Sequence, residues 1–291
     1  MGADKLTMQP YYESDWLGFD WSDWVSFAPS DGYLSTAPTD EGLYRVRHQR
    51  TEGLEYIGQT GRSLRGRLRA LSGCYKPEMP FTDPHVAAPC LWAVREEYGP
   101  EFEVSWITPD VAPDRSQRLA IEEALIASYR RDTGESPTAN FGRIIPGYRR
   151  SSNRSGGFTG GILEEGESEP NCEPGTGPLP WTDADAILSD SWMGLDWSEP
   201  ERLADAYQQI PKESGLYRIW NEDDVPPLEY IGQSGNLRSR LYRHRRNRDG
   251  DLLFSYTTLS ELDAAHKRSE VETELIGAHW LACEMAPRDQ F

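Results

Sequence analysis

Lysine is scarce in this sequence, whereas carboxylates are abundant. Only four of the 30 basic residues are lysine, against 48 aspartates and glutamates, and the formal net charge is −18. This balance favours a halophilic origin, with a surface adapted to a high-salt cytoplasm, over an ordinary acidic protein. The Debye length falls to about 3 Å near 1 M salt, so such a surface repels DNA only at short range. The acidic balance therefore leaves a nucleic-acid partner possible.

Cysteines and long apolar runs are also few. The four cysteines form no CxxC pair, so we do not expect a structural zinc site, and disulfides are not expected in a reducing compartment. No run approaches the roughly 18 apolar residues of a membrane span, and the polar N-terminus lacks a signal-peptide core. We therefore expect a cytoplasmic protein that does not bind membranes.

What the sequence does contain is an internal repeat. LEYIGQTGRSLRGRLRAL at Leu54–Leu71 returns as LEYIGQSGNLRSRL at Leu228–Leu241. Upstream of each copy stands GLYRV or GLYRI, and further upstream WLGFDW at Trp16–Trp21 returns as WMGLDW at Trp192–Trp197. A length of 291 residues accommodates two domains of ordinary size. We interpret the tryptophans as core packing and the chain as a duplicated unit.

Each unit reads as a hairpin, an arginine-rich helix, a third strand and a final helix. Short β-prone runs joined by a polar loop predict the hairpin, and leucines at i, i+4 and i+7 predict the helix that follows Gly61. The elements predicted for the first unit are Leu43–His48, Leu54–Gly58, Phe102–Ile107 and the helix Arg115–Arg131. Those predicted for the second are Leu216–Trp220, Leu228–Gly232, Asn236–Arg248, Leu252–Tyr256 and Ser269–Cys283.

Composition divides the chain into three parts. Residues 1–150 form the first predicted domain, with an N-terminal extension and a proline-rich insertion at 73–100 that has no counterpart in the second unit. Residues 151–190 are rich in glycine, serine, proline and glutamate, and we expect a flexible acidic linker. Residues 191–291 form the second, compact domain.

Comparing the two copies identifies the candidate functional residues without any other sequence. The pairs that keep their type are Tyr44 with Tyr217, Tyr56 with Tyr230, Gly58 with Gly232, Arg67 with Arg240, and Glu122 with Glu272. The glutamates are the strongest signal, because each falls in the apolar stripe of its helix, where a carboxylate is costly unless it is paired or binds a metal. Pairing with a helix arginine is the structural alternative.

These residues, in this order, resemble the GIY-YIG nuclease family over about residues 42–141 and 215–291. The resemblance implies two small α/β (α+β) domains, each a three-stranded antiparallel sheet flanked by helices. It implies a first site of Tyr44, Tyr56, Arg67, Glu122 and Asn140, and a second site of Tyr217, Tyr230, Arg240 and Glu272. Gln290 stands opposite Asn140, a departure that puts the completeness of the second site in question.

The resemblance further implies an endonuclease that hydrolyses phosphodiester bonds of DNA with Mg²⁺, or Mn²⁺. Glu122 and Glu272 would hold the metal, a tyrosine oxygen would take a proton from the attacking water, and the arginine would contact the phosphate. The arginines expected to bind the nucleic-acid backbone are Arg62, Arg65, Arg69, Arg238, Arg243, Arg245, Arg246 and Arg248. A nucleic-acid-binding protein with one or both units catalytically inactive is the first alternative, and a scaffold or partner-binding protein is another.

We expect the two units to be unequal, with the first unit the main catalyst. The first unit has Asn140, whereas the second has Gln290 close to Phe291, where we expect it to be poorly anchored, and only the first unit carries the insertion. The second unit instead places six arginines between Asn236 and Arg248, which suits gripping a phosphate backbone.

Overall fold

The computed structural model describes residues 9–206, 209–223, 225–259, 262 and 264–291. The first eight residues of the predicted first domain, Lys5 among them, and six positions of the predicted second domain lie outside this described part. Contacts between residues divide the chain into a first unit, Met1–Asp114 with Pro137–Glu173, and a second unit, Arg115–Ser136 with Pro174–Phe291.

The first unit is built on a four-stranded antiparallel sheet. Its strands are β1 (Val25–Ser26), β2 (Gly42–His48), β3 (Leu54–Thr60) and β4 (Phe102–Ile107), in the order β1-β4-β2-β3. Helix α1 (Leu64–Leu71) follows the hairpin, starts at the N-cap Ser63 and buries its three leucines. Helix α2 (Ala88–Tyr98) lies in the insertion, where the sequence indicated only an apolar segment.

Two further elements follow β4 along the chain. Helix α3 runs over Arg115–Thr133, and β5 (Tyr148–Arg149) pairs with β6 (Gly161–Ile162) in a two-stranded ribbon. The first unit contains the ribbon, whereas α3 belongs to the second unit.

The second unit repeats the four-stranded arrangement. Its strands are β7 (Glu201–Arg202), β8 (Gly215–Asn221), β9 (Tyr230–Ser234) and β10 (Leu252–Thr258), in the order β7-β10-β8-β9. Helices α4 (Leu237–Asn247) and α5 (Ala265–Cys283) complete it. The fold class of mixed α and β with antiparallel sheets is confirmed.

The number of strands per main sheet is a correction, since we expected three and the structure has four. The additional strands are two residues long: Val25 and Ser26 pair with β4, and Glu201 and Arg202 pair with β10. A two-residue strand is too short to produce a visible alternation in sequence. The repeated tryptophan segment directs the chain to this edge, and the serine after it donates its backbone N–H to Trp106 O at 2.9 Å in one unit and to Tyr256 O at 2.8 Å in the other.

The repeated tryptophans pack around a buried arginine. The guanidinium carbon of Arg45 lies 4.2 Å from the centroid of the Trp21 ring, and that of Arg218 lies 4.4 Å from the Trp197 ring. Burial lowers the pKa of both arginines to about 9. Arg45 donates to the carbonyls of residues 11 and 13, and Arg218 to those of residues 187 and 189. The tryptophans are therefore core residues, as expected, but they enclose a cation that fixes the segment preceding the hairpin.

Helix α3 groups with the second unit because it packs closely on α5. Gly277 permits this approach, since a Cβ added there would come within 3.0 Å of the Ala127 side chain and the Glu123 backbone. Ala127 and Gly277 occupy the same position in the two sequence repeats. The division by contacts therefore differs from the sequence boundary at residue 150.

Residues of the predicted linker make specific contacts in the second unit. Thr176 N donates to Glu270 at 2.7 Å, while Leu179 N and the Trp181 indole donate to Glu274 at 2.8 and 2.7 Å. Both carboxylates are buried beside Arg130, at 3.6 and 3.2 Å. Composition indicated a spacer because it cannot show that backbone N–H groups satisfy carboxylates from a distant helix.

Candidate active site

The two motif tyrosines come together in both units because a glycine lies opposite the first of them. Tyr44 on β2 pairs with Gly58 on β3, and Tyr217 on β8 pairs with Gly232 on β9. A Cβ on either glycine would come within 3.0 Å of the opposing tyrosine hydroxyl. The ring centroids of each tyrosine pair are 5.9 Å apart, the partners being Tyr56 for Tyr44 and Tyr230 for Tyr217.

In the second unit an arginine bridges both tyrosine oxygens. Arg240 lies one turn into α4, whose N-cap Asn236 accepts a hydrogen bond from the backbone of Ser239 at 3.0 Å. Its Nε donates to Tyr217 Oη at 2.9 Å and its Nη2 donates to Tyr230 Oη at 3.2 Å. These contacts raise the pKa of Arg240, so the guanidinium remains charged.

A histidine completes the surroundings of the Tyr217 oxygen. His244, one turn after Arg240, has its Nε2 atom 2.9 Å from Tyr217 Oη, and its Nδ1 accepts a hydrogen bond from Arg248 Nε at 3.1 Å. Burial, followed by the neighbouring arginines, lowers the pKa of His244 to about 4, so the ring is neutral. A neutral ring that accepts at Nδ1 donates from Nε2. The Tyr217 oxygen thus accepts two hydrogen bonds and keeps its own proton for a third partner.

In the first unit a histidine from elsewhere in the chain makes the same contact with the tyrosine oxygen. His85 belongs to the insertion; its Nε2 lies 2.7 Å from Tyr44 Oη, and its Nδ1 accepts from Ala87 N at 3.3 Å. Burial, followed by the charge of Arg67, lowers the pKa of His85 well below its ordinary value. His85 is therefore neutral and has the same tautomer as His244. Arg67 Nη1 donates to the carbonyl of Pro84 at 3.0 Å.

Neither histidine was predicted from the sequence. His244 could have been predicted, because it lies four residues after Arg240 and therefore on the same helix face. His85 could not, because the segment that carries it has no counterpart in the second unit, and its contact with Tyr44 spans 41 residues.

Glu272 joins the second site from α5. Its Oε1 accepts a hydrogen bond from Gln233 N, directly after the YIG motif, at 3.1 Å. Burial raises the pKa of Glu272 to about 7; Glu123 raises it further, and the Gln233 bond and Arg240 oppose the shift. Glu122 lies half-buried on α3, within the second unit. The residues that the first unit itself contributes to its site are Tyr44, Tyr56, Arg67, His85 and Asn140.

In both units a side-chain amide near the end of the unit is hydrogen-bonded to the second strand of the hairpin. Asn140 Oδ1 accepts from Ile57 N, and its Nδ2 donates to Ile57 O, both at 3.0 Å. Gln290 Oε1 accepts from Ile231 N at 2.9 Å, and the backbone N–H of Asp289 bonds to Glu229 O at 2.9 Å. We expected Gln290 to be poorly anchored, and it is instead held to the strand as Asn140 is. In both units this side chain binds backbone, so it fixes the strand that carries the second tyrosine.

The predicted nucleic-acid-binding arginines fall into two groups. Arg65 and Arg238, at matching positions, direct Nε to the carbonyls of Ala37 and Ile210 at 2.8 and 2.6 Å. Arg248 pairs with Asp289 at 2.6 Å. The remaining members are exposed, and one of them, Arg245, also donates to the carbonyl of Ala206 at 3.4 Å: Arg62, Arg69, Arg243, Arg245 and Arg246. The first three hold the fold locally, and the exposed five present charge to solvent.

The donor chemistry of the second site fits a magnesium or manganese ion. Within the described ranges no group of three or more histidine, cysteine, aspartate or glutamate side chains is placed to hold a metal. Mg²⁺ needs only one or two carboxylates, because waters and substrate phosphates supply its remaining ligands. Glu272 fits that role, since a cation beside this buried carboxylate would favour its ionised form.

Comparison with known proteins adds nothing to the sequence motifs. No protein-family model, curated protein or solved structure matches the chain. Among the helices of the described residues, none has the length and apolar character needed to cross a membrane.

Proposed function

We propose that this chain is a Mg²⁺-dependent endonuclease of the GIY-YIG type, with two units in tandem, that hydrolyses phosphodiester bonds of DNA. The observation that carries the proposal is the donor set around the strand tyrosine. In both units a neutral histidine contacts the tyrosine oxygen, and in the second unit Arg240 donates to it as well. A packed tyrosine without a chemical role needs one hydrogen-bond partner at most.

The donors make the tyrosine oxygen a site for developing negative charge. Burial raises the pKa of Tyr217, whereas the hydrogen bond and charge of Arg240 oppose that rise. A phenolate is stabilised by every donor that points at it, so deprotonation becomes easier once a further cation is bound nearby. In this role Tyr217, or Tyr44 in the first unit, orients the attacking water and accepts its proton.

The arginines are proposed to contact the phosphate, and the glutamates to bind the metal. Arg240, or Arg67, offers a planar guanidinium to a phosphate oxygen and stabilises charge in the transition state. Glu122 and Glu272 would hold the metal, which when bound supplies Lewis-acid activation of the phosphate and leaving group. Glu272 is held in place by the backbone of Gln233, so its orientation does not depend on the ion.

The first unit is proposed as the main catalyst and the second as the principal grip on the backbone. The insertion places His85 on Tyr44 in the first unit, while exposed arginines concentrate on α4 in the second. That concentration also favours a second candidate function: a nucleic-acid-binding protein in which one or both units are inactive.

Cleavage assays with purified protein distinguish these functions. Plasmid, single-stranded and branched DNA, with RNA for comparison, are incubated with Mg²⁺, Mn²⁺ or EDTA. We expect metal-dependent nicking of DNA by the wild type and none by the variant Glu122→Gln/Glu272→Gln. Glu123→Gln is the matched control, because it removes a neighbouring buried carboxylate that is not part of the motif. Binding without cleavage under every metal condition would favour the inactive nucleic-acid-binding protein.

A further inference from the structure

The insertion of the first unit forms a cavity next to the candidate active site. Its volume is about 390 Å³, which lies in the range of small-molecule sites of roughly 300–1,000 Å³. Most of its lining comes from residues between Lys76 and Ala88, and Ala70, Gly73, Arg154 and Thr159 complete it, all within the first unit. We call it the insertion pocket.

Its lining combines an aromatic surface with charged side chains. Phe81 and the buried Met79 supply apolar area, and the guanidinium carbon of Arg154 lies 5.6 Å from the Phe81 ring centroid. Charged side chains of both signs line the same cavity: Lys76 and Arg154 are cations, and Glu78 and Asp83 are carboxylates. The Arg154 side chain is 72% exposed and pairs loosely with Asp83 at 3.8 Å, so its charge can be redirected to a ligand. Phe81 offers a stacking surface for a planar heterocycle, and the two cations can contact a phosphate attached to it.

The pocket adjoins the candidate active site through one loop. Pro84 and His85 line the pocket. The carbonyl of Pro84 accepts the hydrogen bond from Arg67, and His85 holds the hydroxyl of Tyr44. A ligand in the pocket therefore contacts the same two residues that position the tyrosine and the arginine.

We propose that the insertion pocket takes one unstacked nucleobase of the DNA strand whose backbone lies at Tyr44 and Arg67. Phe81 stacks on the base, and Lys76 and Arg154 contact the phosphate next to it. This inference rests on the proposed function for the presence of DNA at the site. The base belongs to a strand that is single or locally unpaired, because extrusion from a duplex costs pairing and stacking energy. The second unit has no counterpart of the insertion, so the base contact belongs to the first unit.

A double-mutant cycle between base and side chain tests the proposal. Fluorescence anisotropy measures the affinity of the full-length protein for short single-stranded oligonucleotides, each with an abasic residue at one position. The measurements are made in EDTA, so they do not depend on cleavage. For the wild type we expect one position at which loss of the base weakens binding about 10-fold, in line with base–aromatic stacking. Phe81→Ala should weaken binding of the intact strand by a similar factor, and the two changes together should cost no more than either alone.

Arg154→Ala provides a second variant in case Phe81→Ala disturbs the loop. It should weaken binding of the intact strand several-fold while the abasic position keeps its effect. Arg202→Ala is its control, because Arg202 forms an equally exposed ion pair with Asp251 at 3.7 Å. This control should leave both affinity and the abasic profile unchanged, and thermal unfolding checks the fold of every variant.

Other outcomes would overturn the proposal. One is an abasic profile that is flat, or additive with Phe81→Ala at every position. Another is calorimetric binding of dAMP that depends on Phe81 while the abasic profile stays flat, which would assign the pocket to a free nucleotide. If the cycle behaves as expected but no DNA is cleaved, the base pocket stands and only the proposed endonuclease activity fails.

Discussion

The two units hold the same tyrosine with histidines from different parts of the fold. In the second unit His244 comes from the arginine-rich helix, and in the first unit His85 comes from the insertion, yet both rings donate from Nε2 to the tyrosine oxygen. The corresponding helix position in the first unit is Leu71, which is buried in the core. The donor at the tyrosine oxygen is therefore common to both units, whereas the segment that supplies it differs between them.

The different source of the histidine accompanies other differences between the two units. Because the first unit takes its histidine from the insertion, it gains the insertion pocket beside its site. The second unit takes its histidine from α4, and the same helix carries exposed arginines. Gln290 is hydrogen-bonded to the strand, so poor anchoring of this residue does not distinguish the units. We infer their unequal roles from the insertion pocket and the exposed arginines instead.

Glu122→Gln is expected to have the largest effect on catalysis. Glutamine keeps the volume of the side chain but removes the charge that binds Mg²⁺, so single-turnover cleavage should fall by about 1,000-fold, as loss of a Lewis acid would imply. Glu272→Gln should lower the rate by less than about 10-fold. Circular dichroism and thermal unfolding should show an intact fold in both variants. Full activity of Glu122→Gln would mean that the metal is held elsewhere, or that the site of Tyr217, Arg240 and Glu272 performs cleavage.

Replacing the histidines tests whether the two units contribute differently to cleavage. His85→Ala should lower the cleavage rate by about 100-fold, the usual cost of losing one hydrogen-bond donor to a developing oxyanion. His244→Ala should lower it by less than about 3-fold, while weakening DNA binding. The measurement is single-turnover cleavage at saturating DNA, with His266→Ala as the control, since His266 lies at the start of α5. Equal losses from His85→Ala and His244→Ala would remove the functional difference between the units.

The exposed arginines should influence affinity without affecting sequence preference. Replacing Arg243, Arg245 and Arg246 by serine should weaken DNA binding by about 10-fold and reduce the slope of affinity against salt by roughly one for each arginine that no longer binds a phosphate. Replacing Arg62 and Arg69 should have a smaller effect. Arg248 is excluded from the set because it pairs with Asp289 and contacts His244. An unchanged salt slope would assign these arginines to an ordinary solvated face.

The smallest expected effect concerns the charge state of Glu272. Because the pKa of Glu272 is raised to about 7 in the folded protein, ionisation costs stability as pH rises from the ordinary carboxyl range through pH 7. Mg²⁺ favours the ionised form, so it should raise the unfolding temperature by a few degrees at about pH 8 and have little effect below about pH 6.

Two variants separate Glu272 from its neighbour in that experiment. Glu272→Gln should abolish the Mg²⁺-dependent rise in unfolding temperature. Glu123 also has a pKa raised to about 7 by burial, and Glu123→Gln should keep the rise but move its onset to lower pH. A rise that persists in Glu272→Gln would place the ion elsewhere.

Local patterns predicted the elements of the fold, and non-local contacts limited the prediction. The strand Phe102–Ile107 and the hairpins followed from β-prone runs bounded by turns, and α1 from its leucine spacing. The edge strands β1 and β7 were missed because two residues carry no periodicity. In the sequence, helix α2 is visible only as an apolar segment. All residues of its first two turns are buried, so it has no amphipathic stripe.

The candidate site shows the same division. Duplication identified the tyrosines, Arg240 and Glu272, and hydrogen bonds or ring contacts join them in the second unit. Duplication could not identify His85, whose partner in the other unit comes from a different element, nor the role of Asn140 as a clamp on backbone. Comparison of two repeats identifies the residues that both copies share. It does not identify residues that make the same contact from different positions in the two copies.

We infer that the same pair of tyrosines serves two unequal units, and matched double variants of the two sites test this claim. Tyr44→Phe/Arg67→Ala and Tyr217→Phe/Arg240→Ala are compared in single-turnover cleavage at saturating DNA, with affinity measured separately. The first pair should lose at least about 100-fold in rate, as expected when reacting groups lose their positions, and the second pair should chiefly lose affinity. Equal losses in rate would contradict the claim and indicate two working sites, and a larger loss from the second pair would reverse the assignment.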